Sequence, residues 1–167
     1  MHMPLILTVQ LDEESQLFFT EKRKKYFPPE RNFLDAHLTL FHHLPDEEMT
    51  IIETIEDNCK QQKTISLNVT EVKSIGKGVA YKVESKEVVA LHKRLQKEWL
   101  PYLTTQDRQG LWPHVTIQNK VTVEEAKRTL EEEKTNFTPF TTQAKGVILW
   151  RYLNGPWQWY RSFPFAG

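Results

Sequence analysis

A four-residue pattern of histidine, an apolar residue, threonine and a second apolar residue occurs twice in this chain of 167 residues. It reads HLTL at residues 37–40, in the first third of the chain, and HVTI at residues 114–117, in the last third. Both copies lie in runs typical of β-strands. Because successive side chains of an extended segment point to opposite faces, each copy predicts a strand with an imidazole and a hydroxyl on one face and two apolar side chains on the other.

Two imidazoles that face each other across a cleft can divide the removal and the delivery of a proton between them. An unperturbed imidazole has a pKa of about 6.5, so a neutral and a protonated histidine coexist near pH 7. We therefore predict that His37 and His114 are the acid and base of one site, and that Thr39 and Thr116 donate hydrogen bonds to anionic oxygens. The pattern leaves open which histidine is the base, and it predicts a bell-shaped pH profile centred between about pH 6 and 8.

The two motifs with their neighbours, AHLTLF at residues 36–41 and PHVTI at residues 113–117, resemble those of the 2H phosphoesterase superfamily. The resemblance is closest to its bacterial 2'-5' RNA ligase-like branch of cyclic phosphodiesterases. It implies a bilobal α+β fold with pseudo-two-fold symmetry, in which mostly antiparallel sheets face each other across a central cleft and helices lie outside. It also implies metal-free cleavage or formation of phosphodiesters that involve a ribose 2'-oxygen, such as 2',3'-cyclic phosphates and 2'-5' linkages, without naming the substrate.

Length and charge limit the kind of partner. A chain of this length suits one well-buried domain, and we expect residues 1–167 to form a single domain of two lobes. Lys plus Arg and Asp plus Glu each number 22, so no net charge draws the whole molecule onto nucleic acid. This balance favours a small nucleotide or an RNA end as substrate, with no DNA partner.

The lone cysteine, Cys59, excludes an internal disulfide and a zinc site of several cysteines, and its helical neighbours predict a buried thiol. We expect no cofactor. The sequence has no apolar run of membrane-spanning length, so we expect a cytoplasmic monomer without a membrane partner. Met1, His2 and Met3 are assigned no role.

The pattern of apolar and turn residues predicts alternating strands and helices. The predicted strands and hairpin turns are a strand at 5–11, a motif strand at 36–44, a hairpin of 65–69 and 79–83 joined by Gly76-Lys77-Gly78, a motif strand at 113–121, and strands at 141–152 and 157–165 joined by a turn at 154–156. The predicted helices are one capped by Asp12 that runs to about Tyr26, one opened by Pro45-Asp46, one of about fifteen residues capped by Ser85, and one begun by the capping box of Thr122 and Glu125. Helices mixed with hairpins favour a mostly antiparallel α+β arrangement over a doubly wound parallel sheet.

The run of four basic residues at 22–25 has two interpretations. It is a phosphate-binding patch, or it is a solvated helix face that complements the dipole at the helix C-terminus. We favour the solvated face.

The three histidines of the first motif strand, His37, His42 and His43, also suggest a metal site as an alternative to the two-histidine site. In a regular strand, however, His37 and His43 are about 20 Å apart along the chain, which is too far for one shared zinc ion. His42 is expected on the opposite face with Leu40 and Leu44, as a hydrogen-bonded histidine at the edge of the core. His92 lies close to an apolar helical stripe and is expected to be structural.

Further substrate contacts are expected from residues that share the motif faces or lie near them. The polar segment 104–112 precedes the second motif directly and is a candidate lid or binding loop. The terminal aromatic residues Trp150, Trp157 and Trp159 and the basic Arg161 are candidates for the wall of the cleft. The residues that we expect to bind substrate are Phe41, His43, Lys120, Tyr81, Arg108, Arg151 and Tyr152, with Phe41 stacked on a base.

Two other functions compete with a metal-independent phosphodiesterase. One is a nucleotide- or RNA-binding module that keeps the cleft but has little turnover, which the two intact motifs disfavour. The other is a metal-dependent hydrolase that uses His42 and His43, which the lack of nearby acidic residues at ligand spacing disfavours.

Overall fold

The computed structural model describes residues 3–167, so Met1 and His2 lie outside the described residues. The described chain forms seven strands, four α-helices and two short 3₁₀ helices at Pro29–Arg31 and Leu100–Tyr102. In chain order the main elements are β1 (Leu5–Leu11), α1 (Glu13–Tyr26), β2 (Thr39–Leu44), α2 (Met49–Gln61), β3 (Ile65–Ser74), β4 (Val79–Glu84), α3 (Lys86–Trp99), β5 (His114–Gln118), α4 (Val123–Asn136), β6 (Phe140–Tyr152) and β7 (Trp157–Pro164). Within residues 3–167, no helix is both long and apolar enough to cross a membrane.

Side chains cap three of the four α-helices where the sequence predicts it. The Asp12 carboxylate accepts from the Ser15 amide at 2.9 Å, and the Ser85 and Thr122 hydroxyls accept from amides three residues on. Such caps satisfy amide donors that the first helical turn leaves free. The prediction for α2 was wrong in its start: the Asp46 carboxylate accepts from the Met3 amide, and the helix begins only at Met49.

The strands form one sheet in which every pairing is antiparallel, in the order β2-β1-β6-β3-β4-β5, with β7 paired to β6. Apart from β7, the chain reads β-α-β-α-β twice, once over residues 5–74 and once over residues 79–152. If β1, β2 and β3 are exchanged with β4, β5 and β6, the strand order becomes β5-β4-β3-β6-β1-β2, which is the same order read from the other edge of the sheet. The fold is therefore the expected pseudo-two-fold α+β arrangement.

The long strand β6 joins the two lobes. One lobe contains the strands β2, β1, β6 and β7, and the other contains β3, β4 and β5. Residues 140–144 of β6 pair with β3 of the second lobe, whereas residues 144–151 pair with β1 of the first. Helices also connect the two lobes. Phe19 of α1 contacts Tyr81 of β4, and His92 of α3 contacts Phe41 of β2. His92 is buried against Phe41 and is structural, as predicted.

Burial accounts for two further residues singled out in the sequence. Cys59 lies inside the core, where burial raises the pKa of its thiol to about 12 and keeps it protonated. Arg23 is also buried, its Nε donates to Asn32 at 2.8 Å, and its guanidinium lies 3.8 Å from the centre of the Phe27 ring. The prediction that the whole run 22–25 is a solvated face was therefore wrong for Arg23.

Candidate active site

The two motif histidines are held in the same way. The Nδ1 of His37 lies 2.9 Å from the carbonyl oxygen of Asp35, and the Nδ1 of His114 lies 2.7 Å from that of Trp112, so each ring bonds to the carbonyl two residues before it. A carbonyl oxygen only accepts, so Nδ1 carries the proton in both rings. The Nε2 of each ring is then the atom available to accept or deliver a proton.

A tryptophan ring lies beside each histidine. The centres of the His37 and Trp157 rings are 4.5 Å apart, and those of the His114 and Trp112 rings are 4.2 Å apart in a stacked geometry. These contacts come from the strand β7 on one side and from the segment that enters β5 on the other. Together with the Nδ1 bonds, they restrict the rotation of both imidazoles.

The motif threonines begin or lie within the edge strands. Thr39 opens β2 opposite Thr8, and Thr116 lies in the middle of β5 opposite Ala80. Both side chains are half-buried, and neither hydroxyl makes a hydrogen bond to any residue within 3–167. Two hydroxyls are thus available as donors next to the two imidazoles.

Electrostatic coupling indicates that the two motifs are close in space. Burial, with smaller contributions from the positive charges of Arg23, His42 and His114, outweighs the hydrogen bond to the Asp35 carbonyl and lowers the pKa of His37 to about 4. Burial also lowers the pKa of His114, again with a contribution from His42. Although β2 and β5 are at opposite ends of the strand order, the three imidazoles therefore lie within electrostatic reach of one another.

A buried aspartate connects the two edge strands. The Asp107 carboxylate, in the segment before β5, accepts from the backbone amides of His42 and His43 at 2.8–3.0 Å. The Nδ1 of His42 lies 3.2 Å from the same carboxylate. Burial raises the pKa of Asp107, but the hydrogen bonds from His42 and His43 outweigh burial and lower it. The carboxylate stays ionised near pH 7 and fixes the segment 104–112 against the edge of β2.

A cavity of about 720 Å³ adjoins His37. Its walls are β1, α1, the segment 33–37 and the aromatic side chains Trp150 and Trp157, whereas His114 does not line it. The cavity therefore lies on the His37 side of the candidate site and not on the His114 side.

The structure contradicts two of the expected substrate contacts. Phe41 is fully buried, because two irregularities in the pairing of β1 with β2 turn its side chain into the core. Tyr81 is also buried, and its hydroxyl donates to Glu133 at 2.7 Å, away from the cleft. Both rings are buried because helices cover them: Phe19 of α1 packs against Tyr81, and His92 of α3 stacks on Phe41.

Lys120 does not continue the face of His114. The strand β5 ends at Gln118, and Lys120 lies in the following turn with a φ of 63°, in the left-handed region. Gln118 is itself buried and donates to Thr129 at 2.8 Å. A regular strand from 113 to 121 was therefore a wrong prediction, and Lys120 is an exposed residue of a turn.

The other four residues predicted to bind substrate have accessible side chains, but they lie in different elements of the fold. His43 is exposed in β2, and Arg108 is exposed and donates to the Leu100 carbonyl at 3.2 Å. Arg151 lies in β6 with its guanidinium 3.8 Å from the centre of the Tyr160 ring, and Tyr152 ends the same strand. None of the four lines the cavity beside His37.

His42 and Asp107 are the parts of this region that sequence reasoning missed. His42 was expected at the core edge, but 47% of its side chain is exposed. The only local signal of Asp107 is an acidic residue in an otherwise polar loop, which does not reveal its contact with a strand about 65 residues away in the sequence. Within residues 3–167, no three His, Cys, Asp or Glu side chains are grouped so that they would bind a metal ion.

Comparisons with known proteins agree with this fold. The solved structure of TT0787 of Thermus thermophilus superposes with a TM-score of 0.68 at 16% identity, covering 99% of both chains. E. coli LigT complexed with 3'-AMP gives a TM-score of 0.66 at 14% identity, and LigT complexed with NADP+ gives 0.61 at 15%, each over 100% of both chains. A search of curated proteins found no match.

The family is shown by the sequence itself. The family model of the 2'-5' RNA ligase superfamily matches residues 11–156, a segment that includes both histidine motifs. The chain therefore belongs to the 2'-5' RNA ligase superfamily, and the expected resemblance to 2H phosphoesterases is confirmed.

Proposed function

We propose that this protein is a metal-independent phosphodiesterase that acts on phosphodiesters involving a ribose 2'-oxygen. Its substrates are 2',3'-cyclic phosphates or 2'-5' linkages, which it cleaves or reversibly forms. The observation that carries the proposal is the matched pair of histidines, each with Nδ1 bound to the carbonyl two residues before it and Nε2 left to transfer a proton. The solved complex of LigT with 3'-AMP, a small nucleotide, is consistent with this substrate class.

The chemistry needs one proton shared by two histidines. For a cyclic phosphate, the neutral histidine accepts a proton from water as the water oxygen bonds to phosphorus. The bond from phosphorus to one ribose oxygen breaks, and the protonated histidine delivers its proton to that oxygen. His37 and His114 fill these two roles, and the same steps in reverse would form the bond.

The threonines and the nearby cations stabilise the anionic phosphate. The hydroxyls of Thr39 and Thr116 donate to its non-bridging oxygens, and they lose no existing hydrogen bond in doing so. The Arg23 guanidinium adds positive potential near His37. The phosphate charge in turn raises the pKa of both catalytic histidines when it is bound.

Contacts beyond the phosphate are proposed for accessible residues. His43 and Arg108 lie in β2 and in the polar segment 104–112, which Asp107 joins. Lys120, Arg151 and Tyr152 remain candidates for a longer substrate such as an RNA end.

A substrate screen tests the proposal. Purified protein in excess EDTA is incubated with 2',3'-cyclic nucleotides and 2'-5'-linked and 3'-5'-linked dinucleotides, and the position of the product phosphate is identified by NMR. We expect turnover of at least one substrate with a reacting 2'-oxygen and none of the 3'-5' dinucleotides. Binding without turnover would instead indicate a nucleotide-binding module, and activity only after addition of zinc or manganese would indicate a metal-dependent hydrolase.

A further inference from the structure

We propose that the cavity beside His37 binds the nucleoside of the substrate, and that Gln16 selects a base with an exocyclic amino group, such as adenine or cytosine. The inference rests on the proposed function, because it takes the phosphate to lie at the two histidines.

The position and size of the cavity suit a nucleoside. It has a volume of about 720 Å³, within the usual range of small-molecule sites, and His37 forms part of its wall. A phosphate at the Nε2 of His37 therefore places the attached ribose and base at the mouth of this cavity. His114 does not line it, so the substrate has its larger group on the His37 side.

The walls offer apolar surface to a planar ring. Trp150 and Trp157 line the cavity, with their ring centres 6.1 Å apart. Leu17 and Phe33 also line it, although each is 61% exposed. Large apolar side chains that are exposed around a concave site indicate a surface that a ligand covers. Aromatic rings of this kind stack on nucleic acid bases of any sequence.

One polar group in the wall has a fixed orientation and an unused acceptor. The Nε2 of Gln16 donates to the carbonyl oxygen of Ala36 at 2.8 Å and to the Thr20 hydroxyl at 3.0 Å. The Ala36 oxygen can only accept, so the amide nitrogen of Gln16 faces it, and both hydrogens of that nitrogen are used. Gln16 lines the cavity, and its Oε1 accepts no hydrogen bond from any residue within 3–167.

This acceptor distinguishes bases by their exocyclic group. The amino group of adenine or cytosine donates a hydrogen bond to Oε1, whereas a base with hydrogen at that position leaves the oxygen desolvated and without a partner. A site built around such a hydrogen bond rejects the analogue that lacks it. Gln16 also holds Ala36, the residue before His37, so base recognition and the catalytic motif share one support.

Binding of two nucleotides that differ by one amino group tests the inference. The probes are the 2'-monophosphates of adenosine and of purine riboside, which lacks the 6-amino group, and calorimetry gives their Kd values. We expect the wild type to bind the adenosine nucleotide about tenfold more tightly. Gln16→Leu should bind the two nucleotides equally, with an affinity no higher than the wild type shows for the purine riboside nucleotide, because it also loses the bonds to Ala36 and Thr20.

Thr20→Val is the matched control, because it removes hydrogen bonds to Gln16 Nε2 and to the Ala36 amide but keeps the Gln16 oxygen. We expect it to weaken binding of both nucleotides and to retain the preference for adenosine. Equal affinities in the wild type, or a preference that survives in Gln16→Leu, would overturn the inference. These outcomes are independent of turnover, so they are distinct from a failure of the EDTA screen, which would overturn the proposed function.

Discussion

Each motif histidine is fixed at one ring nitrogen by a backbone carbonyl of the segment that leads into its strand. The acceptors are the carbonyl oxygens of Asp35 and Trp112, so the bond does not depend on the titration of another side chain. Such a bond selects the tautomer with a free Nε2 and raises the pKa of the ring, but burial has the larger effect and lowers the pKa of both histidines. The surroundings of the two rings therefore decide how many protons the pair of histidines carries at a given pH.

The pH dependence follows from the lowered pKa values. In the free protein the active form has one proton on the pair, so kcat/KM falls when pH drops below the pKa of His37, about 4, and protonates both rings. It also falls when pH rises through the pKa of His114, which is lowered from 6.5 and leaves both rings neutral. We expect a bell-shaped profile of kcat/KM with its maximum on the acid side of pH 6.5, rather than between pH 6 and 8.

The profile of kcat should be displaced to higher pH, because the bound phosphate raises both pKa values. Steady-state rates on a 2',3'-cyclic nucleotide from pH 4 to 9 measure both profiles. A single rising limb in kcat/KM would contradict the shared-proton account.

The threonine hydroxyls are expected to contribute less than the imidazoles. Thr39→Ala and Thr116→Ala each remove one donor to the phosphate, and we expect kcat/KM to fall about tenfold to a hundredfold. Thr39→Ser and Thr116→Ser keep the hydroxyl and should remain within about threefold of the wild type. Steady-state kinetics compares the pairs. Equal losses in the Ala and Ser variants would show that the methyl group, not the hydroxyl, matters.

At the scale of elements, the sequence predicts where strands and helices lie better than how each side chain faces. Leu7 of β1 pairs with Phe41 of β2, but the next residue, Thr8, pairs with Thr39. Two residues of β2 therefore oppose one residue of β1 at this point. This irregularity buries Leu40 and Phe41 together and breaks the alternation that placed Phe41 in the cleft. An extra residue in a strand has no signature in apolar periodicity, so its effect on Phe41 and His42 was not predictable.

Asp107 is expected to stabilise the edge of β2. Asp107→Asn removes the ionised acceptor of the His42 and His43 amides and should lower the free energy of unfolding at pH 7 by about 1–3 kcal/mol. The folded pKa of Asp107 is lowered, so this stabilisation is present above the unfolded value of about 3.9 and is lost as pH falls through the folded value. Urea unfolding should therefore show a smaller difference in the free energy of unfolding between the wild type and Asp107→Asn near pH 3 than at pH 7.

Asp57→Asn is the control for this change, since Asp57 is exposed. We expect it to stay within about 0.5 kcal/mol of the wild type at both pH values. A difference for Asp107→Asn that is unchanged near pH 3 would contradict the assigned role of its charge.

At the scale of the whole molecule, the order of elements was predictable, but the contacts that bring the lobes together were not. The doubled β-α-β-α-β order follows from apolar periodicity, caps and turns. The contacts of Asp107 with β2 and of Lys22 with Glu133 join residues 64–111 positions apart, and single polar residues carry no local sign of such partners. The match of the two motifs implied that the lobes converge, but not through which groups.

Glu133 is expected to stabilise the contact between the lobes. Its buried carboxylate accepts from the Tyr81 hydroxyl at 2.7 Å and pairs with Lys22 at 3.0 Å, thereby linking α4, β4 and α1. Glu133→Leu leaves both partners without their acceptor and should lower the free energy of unfolding by about 1–3 kcal/mol. The exposed neighbour pair of Lys25 and Glu132 provides the control, and Glu132→Gln should leave the urea midpoint unchanged. A midpoint unchanged in Glu133→Leu would contradict the assigned role.

Turnover of a 2',3'-cyclic nucleotide in excess EDTA, measured for the wild type, His37→Ala, His114→Ala and the double variant, tests the central claim most directly. Acid and base act as a unit, so we predict that each single variant loses about a hundredfold to ten-thousandfold in kcat and that the double variant is little worse than either. Circular dichroism should show the same fold in all four proteins. Near-normal turnover in either single variant, or activity that EDTA abolishes and added metal restores, would contradict catalysis by the two histidines.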